Sequence, residues 1–324
     1  AQSKGIEINQ EEIGKRVDLR NKEIFTIDGE DAKDLDDGVY AKQYADGSYF
    51  LGVYIADVSY YVEENSPLDV EAFERGTSIY PVDRVVPMLP KELSNGICSL
   101  NQGEDRLAMA CEMELDAKGE VTRGAIDFDQ TEIKIKLDDK GRPIDLIKRE
   151  RNLAESIIEE CMLAANESVA KYMFDLKKPF IYRVHGQPES EKIDKFNLLL
   201  ANFGLHINKH SDDSIKPVDI QKILEQVKGK REETIINTIA LRSMQQARYS
   251  ANQSDHFGLA AEFYTHFTSP IRRYPDLIVH RLLHELFDDD PKKSLPRNAR
   301  KKFNKKRNAN LKQLLPHIAK QSSD

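Results

Sequence analysis

Apolar and polar residues alternate along most of the first half of the chain, a pattern typical of strands with one buried face. The turn signal Asp46-Gly47 separates two such stretches, which we expect to pair as a hairpin. A later pair turns between Asp139 and Pro143. Altogether the pattern predicts strands over residues 23–27, 38–44, 48–62, 107–121 and 125–149.

In the second half the spacing of apolar residues lengthens to that of a helix. Ala154, Ile158, Cys161 and Ala165, for example, fall on one face of a helix. Helices are predicted over residues 67–75, 152–173, 189–203, 217–226, 232–248 and 275–287.

This order of elements predicts one α+β domain, with a twisted mixed or antiparallel sheet and packed helices. The N-terminal half is expected to be strand-rich and the C-terminal half helix-rich. We assign residues 1–16 to an N-terminal linker and residues 17–323 to the single domain.

The composition is that of a globular protein, with 40% hydrophobic and 32% charged residues in a chain of 324. No apolar run reaches the roughly 18 residues of a membrane span, and the first residues lack the apolar stretch of a signal peptide. Cys98, Cys111 and Cys161 are widely spaced, which argues against a disulfide framework and a structural zinc site. We therefore expect a cytoplasmic monomer without membrane contact.

Four aspartates, Asp28, Asp34, Asp36 and Asp37, crowd the segment between the first two predicted strands. Carboxylates a few ångströms apart repel by roughly 1 kcal/mol per pair even in water, so such crowding is typical of a cation site. A solvated acidic turn is the simpler alternative. The predicted strands, which would hold the segment at both ends, favour the cation site.

The acidic segment does not match a calcium-binding EF-hand loop. Counted from Asp34, the glycine comes one position early and the twelfth residue is Ala45 instead of a glutamate. Magnesium takes a few carboxylates and leaves its other positions to water and substrate phosphates. The pattern therefore favours magnesium.

Residues 292–307 form a basic segment in a chain whose net charge is −7. The segment contains nine Lys or Arg residues, including Lys301 and Lys302, and no acidic residue. It either contacts nucleic-acid phosphates or forms an exposed helix that keeps the protein in solution.

Arg272 and Arg273 lie in a Ser-Pro turn just before a predicted helix. Pro275 suits the first helical turn, and Asp276 suits the positive end of the helix. An arginine in such a turn can hold phosphate oxygens through two parallel hydrogen bonds. A structural ion pair is the alternative.

Together, an acidic cation site and a distant basic turn indicate phosphoryl transfer, in which cations and arginine stabilise charge on the phosphate oxygens. The sequence has no glycine-rich phosphate loop and no serine nucleophile elbow. Water is therefore the expected nucleophile.

Seven ordered motifs resemble the catalytic domain of the ribonuclease R and ribonuclease II family, with bacterial ribonuclease R the nearer branch. The resemblance runs from about Val17 to Ser323 and rests on TIDGEDAKDLDDGVY, GVYIADVSYYV, RVVPMLPKELSNGICSLNQGEDR, RGAIDFD, ERNLAESIIEECMLAANE, IYRVHGQPE and HFTSPIRRYPDLIVHR. It implies a processive hydrolytic exoribonuclease that takes single-stranded RNA from its 3′ end and releases nucleoside 5′-monophosphates. It also implies one or two Mg²⁺ ions, for which Mn²⁺ can substitute.

The resemblance also implies residue roles. Asp28, Asp34, Asp36 and Asp37 correspond to the metal-site aspartates of the family, with Asp36 the one most critical for cleavage, and Arg272 to its catalytic arginine. The resemblance implies that Tyr80 contacts the terminal nucleotide and that Glu160 or its neighbour Glu159 lies near the 3′ ribose. From their charge, we also expect Arg273, Lys301 and Lys302 to bind RNA.

The chain departs from the family pattern at three places. It passes directly from Thr122 to Arg123, where the family has a long stretch with an aromatic-bearing motif, so the channel wall is expected to be open. Tyr54 and Tyr60 replace histidines common in the family, which removes support for a histidine base there. We expect no cold-shock or S1 barrel beside the domain, which predicts weak affinity for long RNA.

Two other functions remain open on the sequence. One is a catalytically silent RNA-binding domain of the same fold, which the presence of all four aspartates and of Arg272 disfavours. The other is a metal-dependent phosphoesterase acting on DNA or short oligonucleotides.

Overall fold

A computed structural model describes residues 8–29, 31–117, 132–149, 152–211, 213–287 and 297–323. A three-stranded antiparallel sheet occupies the first third of the chain and is formed by β1 (Asp37–Gln43), β2 (Tyr49–Ala56) and β3 (Ala108–Leu115), in that order. Strands β1 and β2 form the predicted hairpin, in which Val39 pairs with Val53. Since the last six residues of β2 are all buried, this strand is the centre of the fold.

Two smaller strand pairs complete the described β structure. The pair β4 (Glu132–Leu137) and β5 (Pro143–Arg149) turns where the sequence predicts. The pair β6 (Tyr182–Val184) and β7 (Arg248–Ser250) is antiparallel as well. It joins two segments that are far apart in the sequence.

Helices make up most of the second half. In the described residues they are α1 (Gln10–Ile13), α2 (Val58–Tyr61), α3 (Pro67–Arg75), α4 (Leu153–Asp175), α5 (Ser190–Ala201), α6 (Pro217–Val227), α7 (Glu233–Ser243), α8 (Tyr274–Phe287) and α9 (Arg297–Gln321). Helix α4 begins at a capping box formed by Asn152 and Glu155, which satisfies backbone groups at its start. The predicted α+β class, with strands concentrated in the first half, is confirmed.

Three of the predicted elements are wrong in part. Residues 23–27 do not form a strand: Phe25 alone makes a bridge, to Val39. The strand predicted to reach residue 62 ends at Ala56, because the buried Asp57 side chain accepts a hydrogen bond from the Tyr60 amide and starts α2. The helix predicted to reach residue 248 ends at Ser243, since Arg248 belongs to the strand that pairs with β6.

Two hydrophobic cores hold the described part of the chain together. The larger one joins the three-stranded sheet to α4, α8 and the end of α9, and includes Val53, Met173, Leu277 and Leu315. The smaller one unites α5, α6 and α7 around Phe196. Burial of each fully enclosed aliphatic or aromatic side chain contributes about 1.5 to 3 kcal/mol before entropy is subtracted.

No helix in the described ranges is long and apolar enough to cross a membrane. The junction between Thr122 and Arg123 lies outside the described residues, as do the seven residues at the start of the chain.

Candidate active site

The acidic segment is held in place by hydrogen bonds to neighbouring loops and strands. The carbonyl of Asp36 accepts from the amide of Ala56 at 2.9 Å, and the carbonyl of Leu35 accepts from the amide of Leu100 at 3.0 Å. The amide of Leu35 donates to the Ser99 hydroxyl at 3.1 Å. These bonds fix the backbone immediately before β1, although no strand precedes the segment.

Asp36 is the buried member of the acidic segment, with 3% of its surface exposed. Its Oδ1 accepts a hydrogen bond from the backbone amide of Ile271 at 2.9 Å, and its Oδ2 lies 3.7 Å from Nε of Arg272. Burial raises the pKa of Asp36 well above its ordinary value, against the opposing effects of the Ile271 amide and Arg272. The two motifs singled out in the sequence therefore meet at this carboxylate.

The neighbouring carboxylates of Asp37 and Asp28 also have raised pKa values. Burial and then the charge of Asp28 raise the pKa of Asp37 to about 6, against the opposing charges of Arg272 and Arg273. The pKa of Asp28 is raised by burial and then by the charge of Asp34, while Arg272 lowers it. Burial is the larger cause of both shifts and repulsion between the carboxylates adds to it, so a cation would be favourable beside them.

Tyr80 reaches the acidic segment from another loop. Its hydroxyl donates to Oδ2 of Asp34 at 2.9 Å, and burial together with this bond raises the pKa of the phenol. About half of the tyrosine, 51%, stays exposed, so the ring offers a face to a ligand.

The loop before Tyr80 is joined to the arginine turn through the backbone. The Arg272 carbonyl accepts hydrogen bonds from the Ser78 amide and the Thr77 hydroxyl, each at 2.9 Å. The amide of Tyr274 donates to the Gly76 carbonyl. These bonds and the Tyr80–Asp34 bond connect the loop of Tyr80 to both the acidic segment and the arginine turn.

The two arginines of the turn have different surroundings. Arg273 donates two hydrogen bonds to Asp276, at 2.8 and 3.0 Å, and Asp276 also accepts from the amide of Ser269. Arg272 donates to the Ser269 hydroxyl at 3.1 Å, yet 48% of its side chain is exposed. Arg272 is thus available to a ligand, whereas Arg273 holds the turn against α8.

Sequence reasoning treated Asp276 only as a charge at the start of α8 and missed its part in the turn. The signal was present, because Arg273 and Asp276 are three residues apart, a spacing that brings side chains together on a helix. It also missed Ser78 and Thr77, for which the sequence carries no signal, since their partner lies 195 residues away.

Helix α4 approaches the acidic segment through the turn that carries Glu160. Burial raises the pKa of the Cys161 thiol, and the charges of both Glu160 and Asp37 raise it further. Glu159 and Glu160 are exposed, so they can reach a ligand at this edge. Lys301 and Lys302 lie on α9, and their side chains fall outside the described residues.

Across the ranges that the structure describes, no three His, Cys, Asp or Glu side chains converge as a complete metal cage. The donor set nevertheless fits a hard divalent cation. Asp28, Asp34, Asp36 and Asp37 offer oxygen ligands, and burial raises the pKa of three of them, Asp28, Asp36 and Asp37, so a cation beside them would offset the cost of their charge. Such a site would take its remaining ligands from water and substrate.

Comparison with known proteins decides the family. The family model described as the RNB domain matches residues 16–123 and 121–289. The chain belongs to the RNB domain family. Its two matched pieces meet at residues 121–123, the junction at which the sequence departs from the family pattern.

Two curated relatives of this RNB domain are ribonucleases R. It is 45% identical to ribonuclease R 1 of Lactococcus lactis over 98% of this chain and 44% of that protein. It is 42% identical to ribonuclease R of Thermotoga maritima over 85% of this chain and 47% of that protein. The chain thus spans about half the length of the curated relatives it matches.

A solved structure supports the same assignment. The ribonuclease R of Mycoplasma genitalium, in complex with ribose-methylated single-stranded RNA, superposes with a TM-score of 0.88. The two are 31% identical, and the match covers 98% of this chain and 57% of that one.

Proposed function

We propose that this RNB domain is a magnesium-dependent, processive 3′-to-5′ exoribonuclease that hydrolyses single-stranded RNA to nucleoside 5′-monophosphates. The observation that carries the proposal is the meeting of Asp36 with Ile271 and Arg272, which places carboxylates and a guanidinium at one point. The complex of the Mycoplasma relative with single-stranded RNA supports the choice of substrate.

In this proposal water attacks the last phosphodiester of the strand, and the bond from phosphorus to the 3′ oxygen of the preceding nucleotide breaks. Arg272, exposed beside Asp36, would stabilise the charge that develops on the phosphate oxygens. Asp28, Asp34, Asp36 and Asp37 would hold one or two Mg²⁺ ions, or Mn²⁺ in their place. A bound ion would supply positive charge at the phosphate.

Other residues would hold the RNA. The half-exposed ring of Tyr80 offers a stacking face for the last base, and Glu160 offers an acceptor for a 2′-hydroxyl. Lys301 and Lys302 would contact phosphates farther along the strand. The ion pair with Asp276 supports a positioning role for Arg273 in preference to direct contact with RNA.

We also propose that the chain lacks a stretch between Thr122 and Arg123 that its relatives possess. The division of the family match at residues 121–123 supports this idea. A cytoplasmic location and a monomeric state are likewise proposals.

The test is a time course of product release from a 3′-tailed RNA and from DNA of the same sequence, with Mg²⁺ and with EDTA. We expect mononucleotides from RNA with Mg²⁺ only, and no release by Asp36→Asn. The exposed Asp139→Asn is the matched control and should retain full activity.

Other outcomes would replace the proposal. RNA binding without product release would indicate a silent RNA-binding domain. Equal release from DNA would indicate a general phosphoesterase, and retained turnover in Asp36→Asn would remove Asp36 from the catalytic centre.

A further inference from the structure

A basic groove lies between the end of α9 and the strand β7. Its volume is about 770 Å³, which is within the range of ordinary ligand sites. None of the four aspartates, nor Tyr80 or Arg272, lines it. We call it the α9 groove; its cationic lining residues are Lys178, Arg248, Lys312 and Lys320.

Among the residues that the structure describes, the lining of the α9 groove carries only positive charge. Its lining contains four cations and no Asp or Glu. The nearest acidic residue before Lys178 in the sequence, Asp175, is paired with Lys171 at 2.9 Å. Within the described part of the chain, none of the four cations has an ion-pair partner, although three of them are exposed.

The folding of α9 creates this arrangement. Lys312 and Lys320 are eight residues apart on α9, and both line the groove together with Leu315 and Ala319, which are buried. The end of the helix is fixed to β7, because the hydroxyl of Ser323 accepts a hydrogen bond from the Tyr249 amide at 2.8 Å. Arg248 is therefore held opposite the two lysines.

The floor of the groove is apolar but offers no free ring. Phe180 is 1% exposed and Tyr249 is 8% exposed, so neither face is open to a base. Recognition in this groove can therefore use the four cations and the polar side chains of Ser250 and Asn252, but not base stacking. In the described part of the chain these four cations have no ion-pair partner, and they surround an apolar floor. This arrangement suits a polyanion whose phosphate groups contact the cations.

Tyr249 connects the groove to the candidate active site. Tyr249 is one of the lining residues, and its hydroxyl is 2.6 Å from Nδ1 of His266, a residue of the loop that continues to Arg272. The guanidinium of Arg183 lies 4.6 Å from the centre of the same ring. The groove is thus a neighbour of the catalytic loop and is separate from it.

We propose that the α9 groove binds the phosphodiester backbone of RNA at a point distant from the 3′ end being cleaved. The choice of RNA rests on the proposed function. Because contact is with phosphates only, binding is independent of base sequence and falls steeply with salt.

The test measures the affinity of a fluorescent 20-nucleotide RNA by anisotropy in EDTA, over a range of salt concentrations. The groove variant carries Lys178→Gln, Arg248→Gln, Lys312→Gln and Lys320→Gln. Each phosphate contact on a single strand contributes about 0.7 to the slope of log affinity against log salt, so the slope should fall by up to about 3.

The matched control carries the same loss of charge at four exposed lysines outside the groove: Lys42, Lys140, Lys222 and Lys230. Its slope should stay near that of the wild type. An equal fall in the control, or an unchanged slope in the groove variant, overturns the proposal. If the fourfold variant does not fold, Lys312→Gln with Lys320→Gln, both exposed on α9, should lower the slope by up to about 1.4.

Two further measurements distinguish failure of the groove proposal from failure of the proposed function. Hydrolysis of a four-nucleotide RNA with Mg²⁺ should be unchanged in the groove variant. If the wild type hydrolyses no RNA, the proposed function fails, but the slopes still decide the groove. If polyglutamate of matched charge displaces RNA from the wild type better than polyphosphate does, the groove is a site for an acidic protein and the proposal is wrong.

Discussion

Oδ1 of Asp36 accepts a hydrogen bond from the backbone amide of Ile271 at 2.9 Å, across 235 residues of sequence. This bond joins the acidic segment to the arginine turn and positions Arg272 beside the carboxylate. It also gives Asp36 a structural role in addition to its proposed role in catalysis. Substitutions can separate the two roles.

Asp36→Asn should abolish turnover and leave the fold intact, because the asparagine Oδ1 can still accept from Ile271. Asp36→Ala should unfold more easily than Asp36→Asn by about 1 to 3 kcal/mol, since it leaves a buried amide without an acceptor. Urea denaturation of both variants measures the difference. Equal stability of the two would show that the bond to Ile271 contributes nothing.

Substitution of Arg272 should lower turnover, whereas substitution of Arg273 should lower stability. Arg272→Ala should lower kcat about 100-fold to 1000-fold with little loss of stability, because its half-exposed side chain acts on charge in the transition state. Arg273→Ala should cost about 3 to 5 kcal/mol of stability, because it leaves the buried Asp276 without its partner. Steady-state kinetics and urea denaturation of both proteins test the contrast. A stable Arg273→Ala with weakened RNA affinity would make Arg273 an RNA-binding residue instead.

The Tyr80 hydroxyl donates to Asp34, and its ring is proposed to contact the substrate. Two substitutions test these contacts separately. Tyr80→Phe removes the bond to Asp34, keeps the ring, and should leave the length of the final product unchanged. Tyr80→Ala removes both and should lengthen the final product. Gel analysis of limit products compares them, with the partly exposed Tyr44→Phe as control. A longer product from Tyr80→Phe would assign the effect to the hydroxyl.

The free energy of unfolding should fall in acid because several buried histidines have lowered pKa values in the folded protein. Burial lowers the pKa of His256 to about 4, that of His266 well below its ordinary value, and that of His185 as well. The folded form therefore holds these rings neutral, while the unfolded chain takes up protons near pH 6.5. Stability is full above that pH and is lost as the pH falls toward the folded pKa values. For His256 the loss is about 2 kcal/mol at pH 5.

Unfolding free energies measured between pH 8 and pH 5 test this dependence. His256→Asn, which keeps an acceptor for the Leu259 amide, should show a shallower decline than the wild type. A decline of equal slope would show that His256 is not a source of the acid sensitivity.

Asp37 should make the metal-free protein less stable at neutral pH. Its folded pKa of about 6 is above its ordinary value of 3.8, so stability is full below pH 3.8 and is lost as the pH rises through 6. At pH 8 the cost is about 1 to 3 kcal/mol. Asp37→Asn should therefore melt at a higher temperature than the wild type in EDTA, whereas Mg²⁺ should stabilise the wild type more. Equal responses to Mg²⁺ would exclude Asp37 as a ligand.

Much of the local structure could be predicted from the sequence. Periodic spacing located α3, α4, α6 and α8, and the Asp-Gly turn located the β1–β2 hairpin, because these features depend on neighbours in the chain. The predictions failed where distant segments decide the outcome. Residues 244–248, which the predicted helix included, leave the helix because Arg248 pairs with Val184 in another part of the chain.

The sequence by itself determined the family, the crowding of four carboxylates before β1 and the presence of arginines before α8. Only the tertiary structure decided which carboxylate meets the turn, that Arg273 pairs with Asp276 while Arg272 stays exposed, and that four distant cations share the α9 groove. The physical reason is that periodicity and turn chemistry depend on near neighbours. The charge environment of a side chain depends instead on the segments that packing brings beside it.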